Sequence, residues 1–305
     1  MRVETVPLTL VHRVFARLSE RAGELLTPPP GLEFDYSKPE GEAALVDADS
    51  MSWRIFKNPV ALFVGGVAAV ILELAEPSVR SGVWDHSSFR KDAVTRLRRT
   101  GAAAMMTVYG PRTAAEKMIK GVVRAHEKIR GKTPSGVPYR ANDPRLLNWV
   151  QATASYGFIE AYHRFVSPLS PEERSLAFGE GATAAELYGA TNAPTSLSEW
   201  ERLLDEMRPG LERSEIIFEF LDIVRRAPAM PWPLRTFQHL LVRAAVDIVP
   251  TDLQIGLGLR GLGLSPLGRR IVRVAGRIAD RVPLLSAPPA QASIRMGLEA
   301  DALYR

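Results

Sequence analysis

The stretch PVALFVGGVAAVIL, Pro59 to Leu72, is the longest apolar segment of the chain, and Glu73 follows it directly. Its fourteen residues fall short of the roughly 20 that a helix needs to cross a bilayer. The pattern therefore predicts a helix buried in the core of a globular protein. Two adjacent glycines, Gly65 and Gly66, predict close contact with another helix, because neither carries a side chain.

Helical spacing of apolar residues continues on both sides of this stretch, and alternating strand patterns are nearly absent. Asp92 and Asp143 are typical N-cap residues at the starts of two such segments. A third segment begins with a capping box of Thr113 and Glu116 and closes at Gly131. These patterns predict an all-α fold.

The 305 residues are enough for one substantial domain, and no repeat or linker divides them, so we expect a single helical domain over residues 1–305. Proline-rich points at 27–31 and 286–290 are expected to end the compact body, with tails beyond. The tail over about 256–305 is basic, with eight arginines against three acidic residues. Because the whole chain also has a net charge of +5, the excess is local, and we expect no nucleic-acid partner.

The composition narrows the classes of site. The chain has no cysteine, which excludes disulfides, thiolate metal sites and cysteine nucleophiles. The N-terminal segment lacks the pattern of a signal peptide, so we expect a cytoplasmic protein.

His126 is the most informative of the five histidines. Helical spacing places it on one stripe with Ile119, Val122 and Ile129, away from the charged face of its segment. A buried imidazole must satisfy its polar nitrogens. A core histidine with ordinary hydrogen-bond partners and a ligand of a metal or haem both fit this position.

The preceding segment carries Arg96, Arg99 and Thr100 on one predicted helix face, with Arg98 turned away from it. Gly101 and three alanines follow, so a whole turn of this helix has almost no side chains. Such a turn could face a tight helix crossing, with the arginines in solvent. It could also leave room for a flat apolar ligand with anionic groups, such as haem.

Four motifs follow in order: SGVWDHSSF (81–89), RLRRT (96–100), VVRAHEKIRG (122–131) and SPLSPEER (167–174). They resemble the domain family that includes the latex-clearing rubber oxygenase and the MpaB-type oxygenases, over roughly residues 50–250. The resemblance implies a helical fold with a globin-like core and a b-type haem held by one axial histidine. It also implies oxidative chemistry with dioxygen on an apolar, lipid- or isoprenoid-like substrate.

Carried over onto this chain, the axial ligand of the haem iron is His126, and Arg96, Arg99 and Thr100 lie beside the haem. The resemblance gives Arg96 a propionate or an oxygen-derived anion as partner, and gives Arg99 and Thr100 the role of donors on the wall. Rubber oxygenases of the family have lysine where this chain has Arg99. Arginine effectively cannot lose its proton to ligate iron.

Two further departures affect the expected function. Many members of the family have histidines where this chain has Glu76 and Gln151. The resemblance predicts a haem-dependent oxygenase. Because of these departures, a non-catalytic haem or hydrophobic-ligand binding protein of the same fold is the alternative.

Other motifs carry weaker predictions. His86 fits a structural role or the pocket, His163 is expected to be a satisfied, half-buried residue, and His12 and His239 lack supporting neighbours. GLGLRG (256–261) matches a dinucleotide-binding pattern but lacks the strand and helix that the motif requires, so we interpret it as a flexible loop.

The segment 268–282 predicts a basic amphipathic helix, with Ile271, Val274 and Ile278 on its apolar side. This helix could pack its apolar side on the domain. It could also make peripheral contact with a membrane, which would suit an enzyme for a lipid-like substrate.

Overall fold

The computed structural model describes residues 33–87, 89–90, 92–227 and 235–305, and all structural statements below refer to these residues. They form helices joined by short connections, and one small antiparallel hairpin of strands β1 and β2. The helices are α1 Met51–Phe56, α2 Pro59–Ala75, α3 Pro77–His86, α4 Ala93–Tyr109, α5 Arg112–His126, α6 Pro144–Phe165, α7 Pro171–Glu180, α8 Ala182–Tyr188, α9 Leu197–Met207, α10 Glu215–Arg226, α11 Arg235–Ile248, α12 Thr251–Gly256, α13 Pro266–Ala279 and α14 Pro288–Arg295. The strands are β1 Arg130–Lys132 and β2 Pro138–Arg140, and two 3₁₀ turns cover Arg208–Gly210 and Ala302–Tyr304.

The prediction of an all-α fold is confirmed, and a globin-like arrangement of its core stays a prediction. The centre of the fold is the crossing of α2 with α6, the most extensive contact between described elements. A Cβ atom on Gly65 would lie 2.7 Å from the carbonyl oxygen of Gly157, so only glycine permits this approach of the two backbones. The close contact predicted at Gly65 is confirmed.

Local caps start the helices that carry the candidate site. The Asp92 carboxylate accepts from the Thr95 N–H at 3.1 Å, and the Asp143 carboxylate accepts from the Arg145 N–H at 2.9 Å. Each satisfies a backbone donor that the first helical turn leaves without a partner. Both predicted N-caps are confirmed.

Helix α5 differs from its prediction at both ends. The Thr113 N–H donates to the carboxylate of Glu42 at 2.7 Å, and α5 has no side-chain cap, so the predicted capping box with Glu116 is wrong. A remote loop supplies the acceptor that the box would have supplied locally. The helix also ends at His126, and Gly131 lies in β1, where it pairs with Tyr139.

The C-terminal segment belongs to the compact body. Arg295 of α14 is only 1% exposed. Its guanidinium donates to the backbone carbonyl oxygens of Tyr36, Glu42 and Tyr109 at 2.6 to 2.8 Å. The expectation that the body ends at 286–290 is therefore wrong, because this buried arginine anchors the segment beyond it. The other proline-rich point, 27–31, lies outside the described residues.

Helices α2 and α3 meet at Glu76, a buried residue. Its carboxylate accepts from the Val79 N–H at 2.7 Å and forms an ion pair with Arg145 at 2.9 Å. Glu76 therefore caps α3 and ties it to α6. Within the described residues no single helix is long and apolar enough to cross a membrane; α2 and α3 meet that criterion only as a pair, bent by 110°.

Candidate functional site

A cavity of about 430 Å³ lies between α2, α4 and α6, with further walls from α1, α7 and α8. We call it the central cavity. Most of its lining is apolar, including Phe63, Val70 and Phe158. The small turn of α4, residues 101–104, forms part of the wall, and a Cβ on Gly101 would meet no atom within 4 Å. This turn borders open space, whereas the alternative of a tight helix crossing would have filled it.

Polar side chains enter the cavity wall from α2, α4 and α6, among them Glu73, Arg96, Thr100 and Gln151. The Arg96 guanidinium donates to Thr100 Oγ1 at 2.8 Å. The Thr100 hydroxyl in turn donates to the backbone carbonyl of Arg96 at 3.0 Å. Because a hydroxyl has one proton, Thr100 has no second proton for a ligand, and its position serves to orient Arg96.

Glu73 is a functional candidate that the sequence reasoning did not select. It lies on the same face of α2 as Gly66 and Val70, which also line the cavity. Burial raises the pKa of Glu73 to about 7, and the nearby charge of Arg96 opposes this rise only in part. A carboxyl group with such a pKa can both hold and release a proton near neutral pH. Its only signal in the sequence was its position directly after the longest apolar run.

His126 is the last residue of α5 and is half-buried. Burial lowers the pKa of His126, the charge of Arg96 lowers it further, and the neighbouring Asn142 side chain opposes both. The imidazole is therefore held in its neutral form, with a lone pair on one ring nitrogen. Its buried Nδ1 makes no hydrogen bond of regular geometry among the described residues, and the same holds for Oδ1 of the neighbouring Asn142.

The structure brings some of the predicted site residues together and leaves one apart. Arg96 lines the cavity and also lies close enough to His126 to lower its pKa, although His126 itself is not part of the lining. Arg99 is exposed and lies outside the lining. Arg98, expected to turn away from the site, lines the cavity instead. The cavity reaches around more than one side of α4, and the assignment of Arg99 to the site stays a prediction.

The chain matches a known protein family. Residues 53–281 match the family model described as the catalytic domain of the ER-bound oxygenase mpaB/B' and rubber oxygenase. The chain belongs to this family. Two uncharacterized proteins, from Mycobacterium bovis and Mycobacterium tuberculosis, are each 29% identical to it over 180 residues, which cover 55% of this chain and 68% of theirs. No solved structure matches the chain.

The mpaB/rubber oxygenase match extends the region of resemblance beyond residue 250 and includes all of α13 and the turn before it. In this turn, GLGLRG (256–261) follows the short helix α12, and Gly258 and Gly261 have positive φ angles of 73° and 84°. The interpretation as a loop is confirmed. Leu257 and Leu259 are buried, so this loop is packed against the body.

The other described histidines of this family member, His86, His163 and His239, lie outside the cavity lining. His163 Nδ1 accepts from the Leu169 N–H at 2.9 Å, which confirms the prediction of a satisfied, half-buried residue. His86 and His239 are exposed, and His12 lies outside the described residues. Within the part of the chain that the structure describes, no cluster of three or more histidine or acidic side chains could hold a metal ion.

Proposed function

We propose that this protein is a haem b-dependent oxygenase that acts with dioxygen on an apolar, lipid- or isoprenoid-like substrate, and that His126 would hold the haem iron. The observation that carries the proposal is a largely apolar cavity whose wall includes Arg96, the residue whose charge also lowers the pKa of the half-buried His126. Its volume, about 430 Å³, falls in the range of roughly 300–1,000 Å³ of small-molecule sites. Membership of an oxygenase family supports the reaction class.

The residues present fit a haem in three respects. The side chain of Asn142 interacts with the imidazole of His126 by a hydrogen bond, so this contact can orient one side of the ring while the other ring nitrogen is left for a metal ion. The neutral imidazole offers a lone pair for a metal ion. The small turn of α4 leaves open space beside Gly101, and Arg96 supplies a positive charge for an anionic group.

When bound, haem supplies the oxidative chemistry with dioxygen. The chain itself would orient the haem and the substrate and exclude water from the cavity. Arg96, held by Thr100, would pair with a propionate or another anion, and the apolar wall would select an apolar substrate. Glu73 holds or releases a proton at its carboxyl group inside the cavity. Arg99 is exposed outside the lining, and its role as a donor stays a prediction.

A non-catalytic haem or hydrophobic-ligand binding protein is the second candidate. Arg99, at the position of the lysine in the family's rubber oxygenases, points to solvent. Glu76, at the position of a histidine in many members, is committed to capping α3 and to Arg145. These contacts favour a protein that retains the apolar cavity but lacks the lysine and histidine side chains that other family members have at these positions.

The test is the absorption spectrum of protein purified from cells supplied with a haem precursor. Wild type and the control His86→Ala, which alters an exposed histidine, should show a Soret band. His126→Ala should lose it, with a haem-to-protein ratio lower by at least about tenfold. A haem-supplied wild type without a Soret band, or full haem retention in His126→Ala, would contradict the proposal. Uptake of dioxygen with isoprenoid substrates then distinguishes the oxygenase from the binding protein.

A further inference from the structure

Helix α13 turns its larger apolar side chains away from the protein. Its buried face consists of Gly268, Val272 and Gly276, and a Cβ on Gly276 would overlap the backbone carbonyl of Phe165. The small residues therefore make the contact with the body. The opposite face exposes a row that we call the apolar stripe: Leu267 (69% exposed), Ile271 (42%), Val274 (50%) and Ile278 (40%).

The arginines of this helix fall into two groups. Arg269 forms an ion pair with Asp247 at 2.8 Å, and Arg273 donates to the backbone carbonyl of Arg164 at 3.0 Å. At about 100° per residue, both lie on the side of the helix that leads to the protein body. These two arginines anchor α13 to the body.

The second group lies next to the apolar stripe. By the same helical geometry Arg270 and Arg277 border the stripe, and Arg281 follows it just beyond the end of the helix. All three are exposed, and none forms a side-chain hydrogen bond or an ion pair with a described residue. Unpaired positive charge and exposed apolar surface therefore occur side by side.

We propose that the apolar stripe and its three unpaired arginines dock α13 onto the surface of an anionic lipid membrane, with the stripe inserted below the headgroups. Helices that lie in a membrane interface combine these two features, an apolar face and basic residues that attract anionic headgroups. The opposite face of α13 already packs on the body through Gly268 and Gly276, so docking on a membrane requires no change in the fold. This inference does not depend on the proposed function.

Charge complementarity favours an anionic membrane over a second copy of the chain, or residues 1–32, as the partner of this face. A second copy docked on the same stripe by twofold symmetry would bring like-charged arginines together. Residues 1–32 of the chain carry four arginines against three acidic residues, and so offer no complementary charge. An anionic headgroup layer offers both the negative charge and the apolar interior.

The first experiment is co-sedimentation of the full chain with vesicles of phosphatidylcholine alone or with a quarter of phosphatidylglycerol. The protein should sediment with the anionic vesicles at low salt and remain in the supernatant with the neutral ones. Binding should weaken as salt rises, because surface charges are screened over about 10 Å at 0.1 M. A protein that stays in the supernatant with both vesicles at low salt would overturn the proposal.

The second experiment removes the charge beside the stripe. Substituting the three unpaired arginines by glutamine should weaken binding to anionic vesicles on the order of 100-fold. A control triple variant removes the same charge from the exposed face of α5, where the side chains have no described partner, and should change binding less than about threefold. The variants are Arg270→Gln with Arg277→Gln and Arg281→Gln, and Lys117→Gln with Lys120→Gln and Arg124→Gln. Equal losses would show that net charge and not this surface binds the vesicle.

The third experiment removes apolar surface from the stripe. Leu267→Ser with Val274→Ser should weaken binding at least about tenfold, while Leu176→Ser with Ile255→Ser, which alters equally exposed side chains elsewhere, should not. All four side chains are exposed, so the variants should fold. Wild type that elutes as a dimer in size-exclusion chromatography and becomes monomeric in the stripe variant would assign the face to a second copy and overturn the proposal.

Discussion

Small residues have opposite consequences at two places in the core. At the crossing of α2 with α6, a Cβ on Gly65 would lie 2.7 Å from the Gly157 carbonyl oxygen, so the two helices touch through their backbones. At the small turn of α4, a Cβ on Gly101 would meet nothing within 4 Å. The difference shows that a small residue makes a close helix contact only where the backbone of a second helix approaches it. Where none approaches, the small residue leaves open space.

The largest effect is expected at the crossing, where adjacent glycines provide a matched pair. Gly65→Ala should lower the free energy of unfolding by about 2–4 kcal/mol, because the new methyl group overlaps backbone atoms of α6. In Gly66→Ala the methyl group would lie 3.8 Å from the Phe158 ring, an ordinary contact, and helix propensity should raise stability by up to about 1 kcal/mol. Urea denaturation measures both. Similar losses in the two variants would mean that the crossing does not depend on Gly65.

The next effect concerns the cavity side of α2, where Glu73 is half-buried. Its pKa is raised from 4.5 to about 7 in the folded protein, so folding favours the protonated form. Stability from this group is therefore complete below about pH 4.5 and is lost as the pH rises through about 7. Glu73→Gln should remove this loss and exceed wild type at pH 8 by roughly 1–3 kcal/mol. Denaturation between pH 5 and pH 8 measures it.

The control for this prediction is Glu206→Gln, which alters an exposed glutamate on α9 without a described hydrogen bond or ion pair. It should follow the pH dependence of wild type. If Glu73→Gln did the same, the carboxyl group of Glu73 would be solvated and could not serve as a proton donor in the cavity.

Local sequence predicted what local contacts determine. The N-caps Asp92 and Asp143 were predictable because each accepts from a backbone donor two or three residues away. The cap of α5 was not, because Glu42 reaches Thr113 from 71 residues away. The same limit applies to Arg295, whose carbonyl partners lie 186 to 259 residues earlier in the chain.

The candidate site shows the same division. The pair of Arg96 and Thr100 is a property of a single helix, and the spacing of residues predicted it. The predicted stripe of His126 holds only as far as the end of α5, which leaves Ile129 outside the helix. The choice between Arg98 and Arg99 depends on how far the cavity reaches around α4, which neighbouring helices determine. Glu73 was not selected for the same reason, since its raised pKa results from burial by elements remote in sequence.

The smallest effect on stability, and the sharpest test of the comparison, is expected at the open turn of α4. Gly101→Leu should keep the fold or stabilise it by up to about 1 kcal/mol, because leucine favours helix and its Cβ meets no atom. Gly121→Leu on α5 is the matched control: this glycine is also exposed with no atom near its Cβ, but it lies outside the cavity lining. The readout is urea denaturation together with titration of an environment-sensitive apolar dye. Only Gly101→Leu should weaken dye binding, by about tenfold, because its side chain occupies space that the small turn leaves open.

Unchanged dye binding in Gly101→Leu would mean that the open space beside α4 is not where apolar ligands enter. A large loss of stability would instead show that this turn is packed as tightly as the crossing of α2 with α6.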